Sequence, residues 1–130
     1  INDKTITYFD LNTGNNNKVN EKVQLIVNIP WSENTEIYDV KFETLKIINV
    51  EVTNSKLEKN TFTDITFENC NFSNTSFENS IFIRCEFKDC KLSGCNFMES
   101  RLYNVTVINT NANYLNLSLD KIQSHIKILY

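Results

Sequence analysis

At 130 residues, 41% hydrophobic and 22% charged, the chain has room for one domain core, and no run approaches the length of apolar sequence that a membrane-spanning helix needs. Two glycines, one proline and a net charge of -3 from 13 basic and 16 acidic residues exclude collagen-like and proline-rich architectures and leave no polycationic footprint. We therefore expect no direct nucleic acid binding and no membrane insertion of this segment. Ile1, in place of an initiator methionine, points to a processed or excised piece whose compartment is not written in a leader.

In chain order, residues 5 to 11 and 22 to 29 read as strands, the second alternating through Val23, Leu25, Val27 and Ile29. The polar stretch Asn12 to Asn20, with Gly14, reads as the loop between them. Residues 1–36 are expected to form a hairpin that caps the first coil of a repeating structure.

From Ile37 onward the chain repeats every five residues. Steps of five give Ile37, Phe42, Ile47, Val52, Leu57, Phe62, Phe67, Phe72, Phe77, Phe82, Phe87, Leu92, Phe97, Leu102, Val107, Ala112, Leu117 and Ile122, all apolar. Against the compositional background such a run has a chance probability on the order of 10^-7 before correction for choosing the register. Two residues before each centre stands a second, mostly small series, among them Asn60, Ile65, Cys70, Thr75, Ser80, Cys85, Cys90, Cys95 and Ser100. Two side chains in five point inward, one large and one small. A helix would smear that pattern around its circumference and a flat strand would alternate it between faces, so the backbone must turn once per pentad.

Beyond the repeat, Ile122, Ile126 and Leu129 sit at helical spacing behind Asp120 as an N-cap, which predicts a short helix or an irregular lid over residues 119–130. Asparagine is abundant, 21 of 130 residues, and is read as a coding bias. That bias alone predicts roughly three glycosylation sequons, so those at Asn71, Asn74, Asn104 and Asn116 do not argue for secretion.

The large apolar centre, the small residue two before it and the polar remainder, as in Cys70-Asn71-Phe72-Ser73-Asn74-Thr75-Ser76-Phe77, resemble pentapeptide-repeat proteins over residues 37–118. The resemblance implies an all-β fold, a right-handed quadrilateral β-helix of about four coils with four pentads to the coil. Residues twenty apart then stack at the strand spacing of about 4.8 Å. The expected ladders are Leu57/Phe77/Phe97/Leu117, Phe42/Phe62/Phe82/Leu102, Ile47/Phe67/Phe87/Val107 and Val52/Phe72/Leu92/Ala112. Asn60/Ser80/Ser100 would form a polar inner column that must bond internally.

No constellation in the sequence supports catalysis. His125 has no nucleophile or carboxylate at a defined spacing around it, and two isolated glycines build no phosphate loop. Glu58 and Glu78 share an outer column that reads as a solvated face. All four cysteines occupy the small inward register and read as buried free thiols, not metal ligands; Cys70 and Cys90 are the one pair within bonding distance. We expect no catalytic residue, no metal and no cofactor.

What remains is recognition by a solenoid surface. Apolar residues intrude at the outward positions Ile48, Ile81, Ile83, Met98, Tyr103 and Ile108. Ile81 and Ile83 flank Phe82, and Arg101 and Tyr103 flank Leu102 one coil later, so these four make a candidate interaction patch. The expected role is a non-enzymatic scaffold that binds a protein partner, with a homodimer through a terminal coil as a further association. Within the resembling family one activity is protection of DNA gyrase or topoisomerase IV by imitating duplex DNA, and that role implies a cytoplasmic protein. The 11 acidic and 8 basic residues between Glu36 and Ser118 fall short of the roughly ten uncompensated charges that a 20 Å mimic requires. Residues 61 to 82 are also similar to the luminal pentapeptide domain of synaptic vesicle glycoprotein 2, a toxin receptor surface, which implies a luminal or extracellular one.

Overall fold

A backbone that turns after every fifth residue needs one residue per pentad able to bend it. In the computed structural model, which describes residues 6–10, 15–19, 25–27, 34–118 and 126–129, that residue stands two positions after each centre, in the left-handed region. Sixteen non-glycine residues from Asn34 to Tyr114 hold φ between 44° and 60°, and Gly94 completes the series at 70°. Left-handed backbone costs about 1–2 kcal/mol for an ordinary L-residue and least for Asn, Asp and Gly. Eight of the sixteen are Asn and three are Asp, so part of the asparagine bias read as coding composition has a conformational cause.

The corners separate short strands. After β1 (Ile6–Asp10), β2 (Asn15–Val19) and β3 (Leu25–Val27) come β4 (Glu36–Tyr38), β5 (Lys41–Ile48), β6 (Lys56–Glu58), β7 (Thr61–Glu68), β8 (Ile81–Ile83), β9 (Glu86–Lys88), β10 (Arg101–Tyr103), β11 (Val105–Ile108) and β12 (Ile126–Leu129). No helix occurs among the described residues. From β3 to β11 every pairing is parallel at a register of twenty, for example Phe42↔Phe62, Phe62↔Phe82 and Phe82↔Leu102. Isolated bridges at Glu51↔Asn71↔Lys91↔Asn111 keep the same register on another wall. Four pentads to the coil and about four coils make the quadrilateral β-helix that the repeat implies.

The centres fill the interior. Phe72, Phe77 and Phe82 have no exposed surface, and every centre from Ile37 to Leu102 is buried. Rings one coil apart stack, with centroids 5.0 Å apart for Phe42–Phe62, 4.7 Å for Phe62–Phe82, 4.6 Å for Phe67–Phe87 and 5.0 Å for Phe77–Phe97. Rings of adjacent columns meet edge to face, as in Phe67–Phe72 and Phe72–Phe77. Each Phe contributes about 1.5–3 kcal/mol by burial, and favourable ring pairs add about 0.5–1.5 kcal/mol.

Polar inward groups are satisfied by one repeated device. The Ser100 hydroxyl donates to the Phe77 carbonyl at 2.6 Å and accepts from the Ser80 N–H at 3.1 Å. Thr75 donates to Val52 at 2.7 Å and accepts from Ser55 at 3.3 Å. Asn60, larger, donates its amide to Ile37 at 3.0 Å and accepts from Val40 at 2.9 Å. These small residues bond the coil below instead of leaving buried groups unpaired.

The ends differ from expectation in two places. The stretch read as a loop contains β2, which pairs antiparallel with β1 (Ile6↔Val19 to Asp10↔Asn15). The strand expected to complete that hairpin contributes β3, which runs parallel to β5 as a rung of the coil (Leu25↔Leu45, Val27↔Ile47). Leu25 and Val27 lie twenty residues before two inward positions, and that register outweighs a hairpin. At the other end Ile126–Leu129 is a strand and not a helix. Its pairing with β11 satisfies an otherwise bare sheet edge, at a register of twenty-one (Val105↔Ile126, Ile108↔Leu129). The rest of the expected terminal helix, with His125, lies outside the described residues.

Candidate functional site

Four neighbouring outward positions are decided by the pairing of β8 with β10. The ladder Arg101↔Ile81, Leu102↔Phe82, Tyr103↔Ile83 sets the central pair inward and places Ile81, Ile83, Arg101 and Tyr103 on one wall. The four are half-buried, while Phe82 and Leu102 beneath them are buried. Thr61 and Thr63 continue the wall through Thr61↔Ile81 and Thr63↔Ile83. At its corner Arg84 grips Asp64 with Nε–Oδ1 at 2.6 Å and Nη2–Oδ2 at 3.1 Å, and this carboxylate holds the guanidinium further into its charged range. The result is a flat strip of threonine, isoleucine and tyrosine edged by cations.

The remaining outward apolar residues are not gathered. Ile48 pairs with Glu68, and Ile108 with Lys88, so the charged pair Glu68–Lys88 at 3.9 Å stands between them. Met98 is exposed on another wall. The sequence reading missed the most exposed apolar groups, Tyr38, Tyr114, Leu117, Ile128 and Leu129; Tyr114 is 93% exposed. Leu117 ends the column below Phe97, and Ile128 pairs with Val107, the last centre of its column. Both therefore belong to columns that run out. A cavity of about 690 Å³ opens there, lined by Leu92, Phe97, Val107, Ala112, Leu117 and Ile128 among others.

The residues weighed for chemistry are otherwise engaged. Glu58 accepts from the Ser76 hydroxyl at 2.6 Å, and Glu78 from the Asn96 amide at 2.7 Å. The four cysteines are free and buried, and Cys70 and Cys90 form no disulfide. Each thiol fills the small inward slot and donates to the coil below, Cys85 to Phe62 at 3.3 Å and Cys95 to Phe72 at 2.9 Å. Burial pushes the thiols of Cys85 and Cys95 up to about 12. Among the described residues no group of three or more His, Cys, Asp or Glu side chains is arranged to hold a metal.

The pentapeptide repeat region model matches residues 60–127, a little over half of the chain. The chain belongs to the pentapeptide-repeat family. Solved pentapeptide-repeat structures are similar to it. A trypsin-treated variant of QnrB1, a plasmid-mediated fluoroquinolone resistance protein, is 18% identical over 74% of this chain and 52% of that one, with a TM-score of 0.34. Rfr23, from the cyanobacterium Cyanothece 51142, is 14% identical over 74% of this chain and 82% of that one, with a TM-score of 0.26. The chain thus spans about half the length of QnrB1. No curated protein matches it. These matches do not show the similarity to the luminal domain of synaptic vesicle glycoprotein 2.

Proposed function

We propose that this pentapeptide-repeat domain is a non-enzymatic scaffold that binds a protein partner through the wall bearing Ile81, Ile83, Arg101 and Tyr103. The observation that carries this reading is the parallel ladder Arg101↔Ile81 and Tyr103↔Ile83, which turns four residues scattered in sequence into one strip on a rigid coil. Aromatic and arginine residues beside apolar area are the composition of interface centres. Within residues 1–36 and 119–130, β1, β2 and β12 serve as caps to the coil, to which β3 already belongs, because a solenoid needs its terminal edges covered. The test is affinity capture from the source cell with the domain and with an Ile83→Glu/Tyr103→Glu variant, both checked by circular dichroism. One partner held by the first and lost by the second, and binding directly when purified, supports the strip. Equal capture by both refutes it.

A second association, a homodimer through the last coil, is favoured by Tyr114, Leu117 and Ile128 standing exposed around an apolar cavity. Sedimentation of the domain and of Leu117→Glu/Ile128→Glu distinguishes it. A dimer that the variant loses supports this contact, and a monomer at high concentration removes it. Protection of gyrase or topoisomerase IV by DNA mimicry gains little from the outer columns: Glu58 and Glu78 are stacked neighbours, but columns such as Glu51/Asn71/Lys91/Asn111 and Lys46/Thr66/Glu86/Thr106 mix carboxylates with neutral and basic residues.

A further inference from the structure

The inward slots hold four thiols in near-identical chemical settings, yet only two of them share a column. Cys85 stacks between Ile65 and Val105, and Cys95 between Thr75 and Leu115, as the register of twenty dictates. Cys70 and Cys90 are successive members of the column that begins at Val50 and ends at Thr110. Their backbones are pinned in register on both sides, by Asn69 N–H to Lys88 at 2.9 Å and Lys91 N–H to Cys70 at 2.9 Å. Their α-carbons therefore lie at the strand spacing of about 4.8 Å, inside the window of about 4.4–6.8 Å that a disulfide spans. Each thiol also points to equivalent acceptors, Cys70 to Ile47 at 3.4 Å and Cys90 to Phe67 at 3.3 Å. The two side chains are already close enough to interact with one another.

We propose that Cys70 and Cys90 are a redox-operated staple, closed by a small hydroperoxide and opened by thiol reductants. The corner over this column carries two clefts that share Asp89 and Lys91, one of about 310 Å³ reaching Cys70 and one of about 490 Å³ reaching Cys90. They open at the surface beside the pair, whose thiols are themselves buried. The two thiols are also differentiated. Hydrogen bonding to Cys90, with burial, raises the Cys70 thiol, and the same bond lowers Cys90; in this column either thiol can attack first, here Cys90. Its thiolate attacks one peroxide oxygen, the O–O bond breaks, and Cys90 becomes a sulfenic acid as hydroxide leaves. The Cys70 sulfur then attacks the Cys90 sulfur, the S–O bond breaks, and the Cys70 proton leaves with the departing oxygen as water. In balance, two thiols and one hydrogen peroxide give one disulfide and two waters, and an organic hydroperoxide gives an alcohol in place of one of the waters. Cys85 and Cys95, equally buried but without a thiol neighbour, are internal controls.

The experiment is treatment of the folded domain with hydrogen peroxide, followed by unfolding, alkylation of remaining thiols and peptide mapping. The expected result is one linked peptide pair, Cys70 with Cys90, in a chain lighter by two hydrogens. Cys85 and Cys95 remain alkylatable, and the thermal midpoint is raised by about 5 °C until dithiothreitol restores it. Cys70→Ser should abolish the link and leave Cys90 to oxidise as far as sulfinic acid. That variant is expected to fold, because Ser80 and Ser100 already occupy equivalent slots with the same bonding. Four thiols all still alkylatable after treatment overturn the proposal, as does oxidation spread evenly over the four.

Discussion

The middle coils and the last coil follow the same five-residue rule with different outcomes. Between Leu57 and Leu102 the centres are Phe or Leu, all buried, and the rings stack from coil to coil. In the last coil the centres shrink to Val107 and Ala112, Leu117 is 42% exposed, and a cavity opens among them. The pentad spacing sets where the backbone turns, whereas the volume of each centre sets whether the column is filled. A register can persist after packing has faded.

The contrast breaks most sharply with truncation. Phe72→Ala should destabilise the domain by about 3–5 kcal/mol, while Leu117→Ala should cost less than about 1 kcal/mol, as read from denaturant titrations at matched m-value. Beside it stands an alkaline effect within the middle coils, which hold all four thiols. Cys85 and Cys95 keep their protons up to about pH 12 when folded, but release them near pH 8.5 when unfolded. Their contribution is whole below that value and declines as pH rises towards 12, by about 1.4 kcal/mol per thiol for each pH unit. A Cys85→Ser/Cys95→Ser variant should flatten that decline in midpoints measured between neutral and strongly alkaline pH.

Smaller again is the loss of one inward hydroxyl. Thr75→Val removes the hydroxyl that accepts from the Ser55 N–H and donates to the Val52 carbonyl and should cost about 1–3 kcal/mol. The same change at half-buried Thr110 should cost less. At the small end, Ala112→Leu should raise stability by about 1 kcal/mol by filling the terminal cavity. A small-to-large change at fully buried Val52, to Phe, should lower it instead. Equal effects in the two places would show that the last coil is packed like the others.

The solenoid is legible in the sequence because its signal is repeated at eighteen centres and needs no partner to be recognised. The corners are equally periodic, Asn49, Asn54, Asp64, Asn69, Asn74, Asn79 and Asp89 among them. They escape notice when asparagine is weighed as composition and not by position. The termini are legible in part. Asn15–Val19 has the composition of a loop and becomes a strand only through pairing with Ile6–Asp10. Ile126 and Leu129 fit a helical spacing as well as Ile126 and Ile128 fit a strand, and only the free edge of β11 decides between them. Of the surface, the Ile81/Ile83/Arg101/Tyr103 strip can be placed because it derives from the period. Tyr114 and Ile128 cannot, since their exposure depends on where a column ends.

The one-residue slip between β11 and β12 has an implication for how such a chain can change length. Within the stacked coils, an added residue would rotate every later column by one position, exchanging Phe centres for the polar residues beside them. Gains and losses there are tolerable only in whole coils of twenty, which preserve each column's neighbours. Single-residue changes are confined to the ends, where β12 already stands twenty-one residues from its partner and still meets it. The interior of this chain can thus change length only in blocks, and its freedom to vary in length lies at its margins.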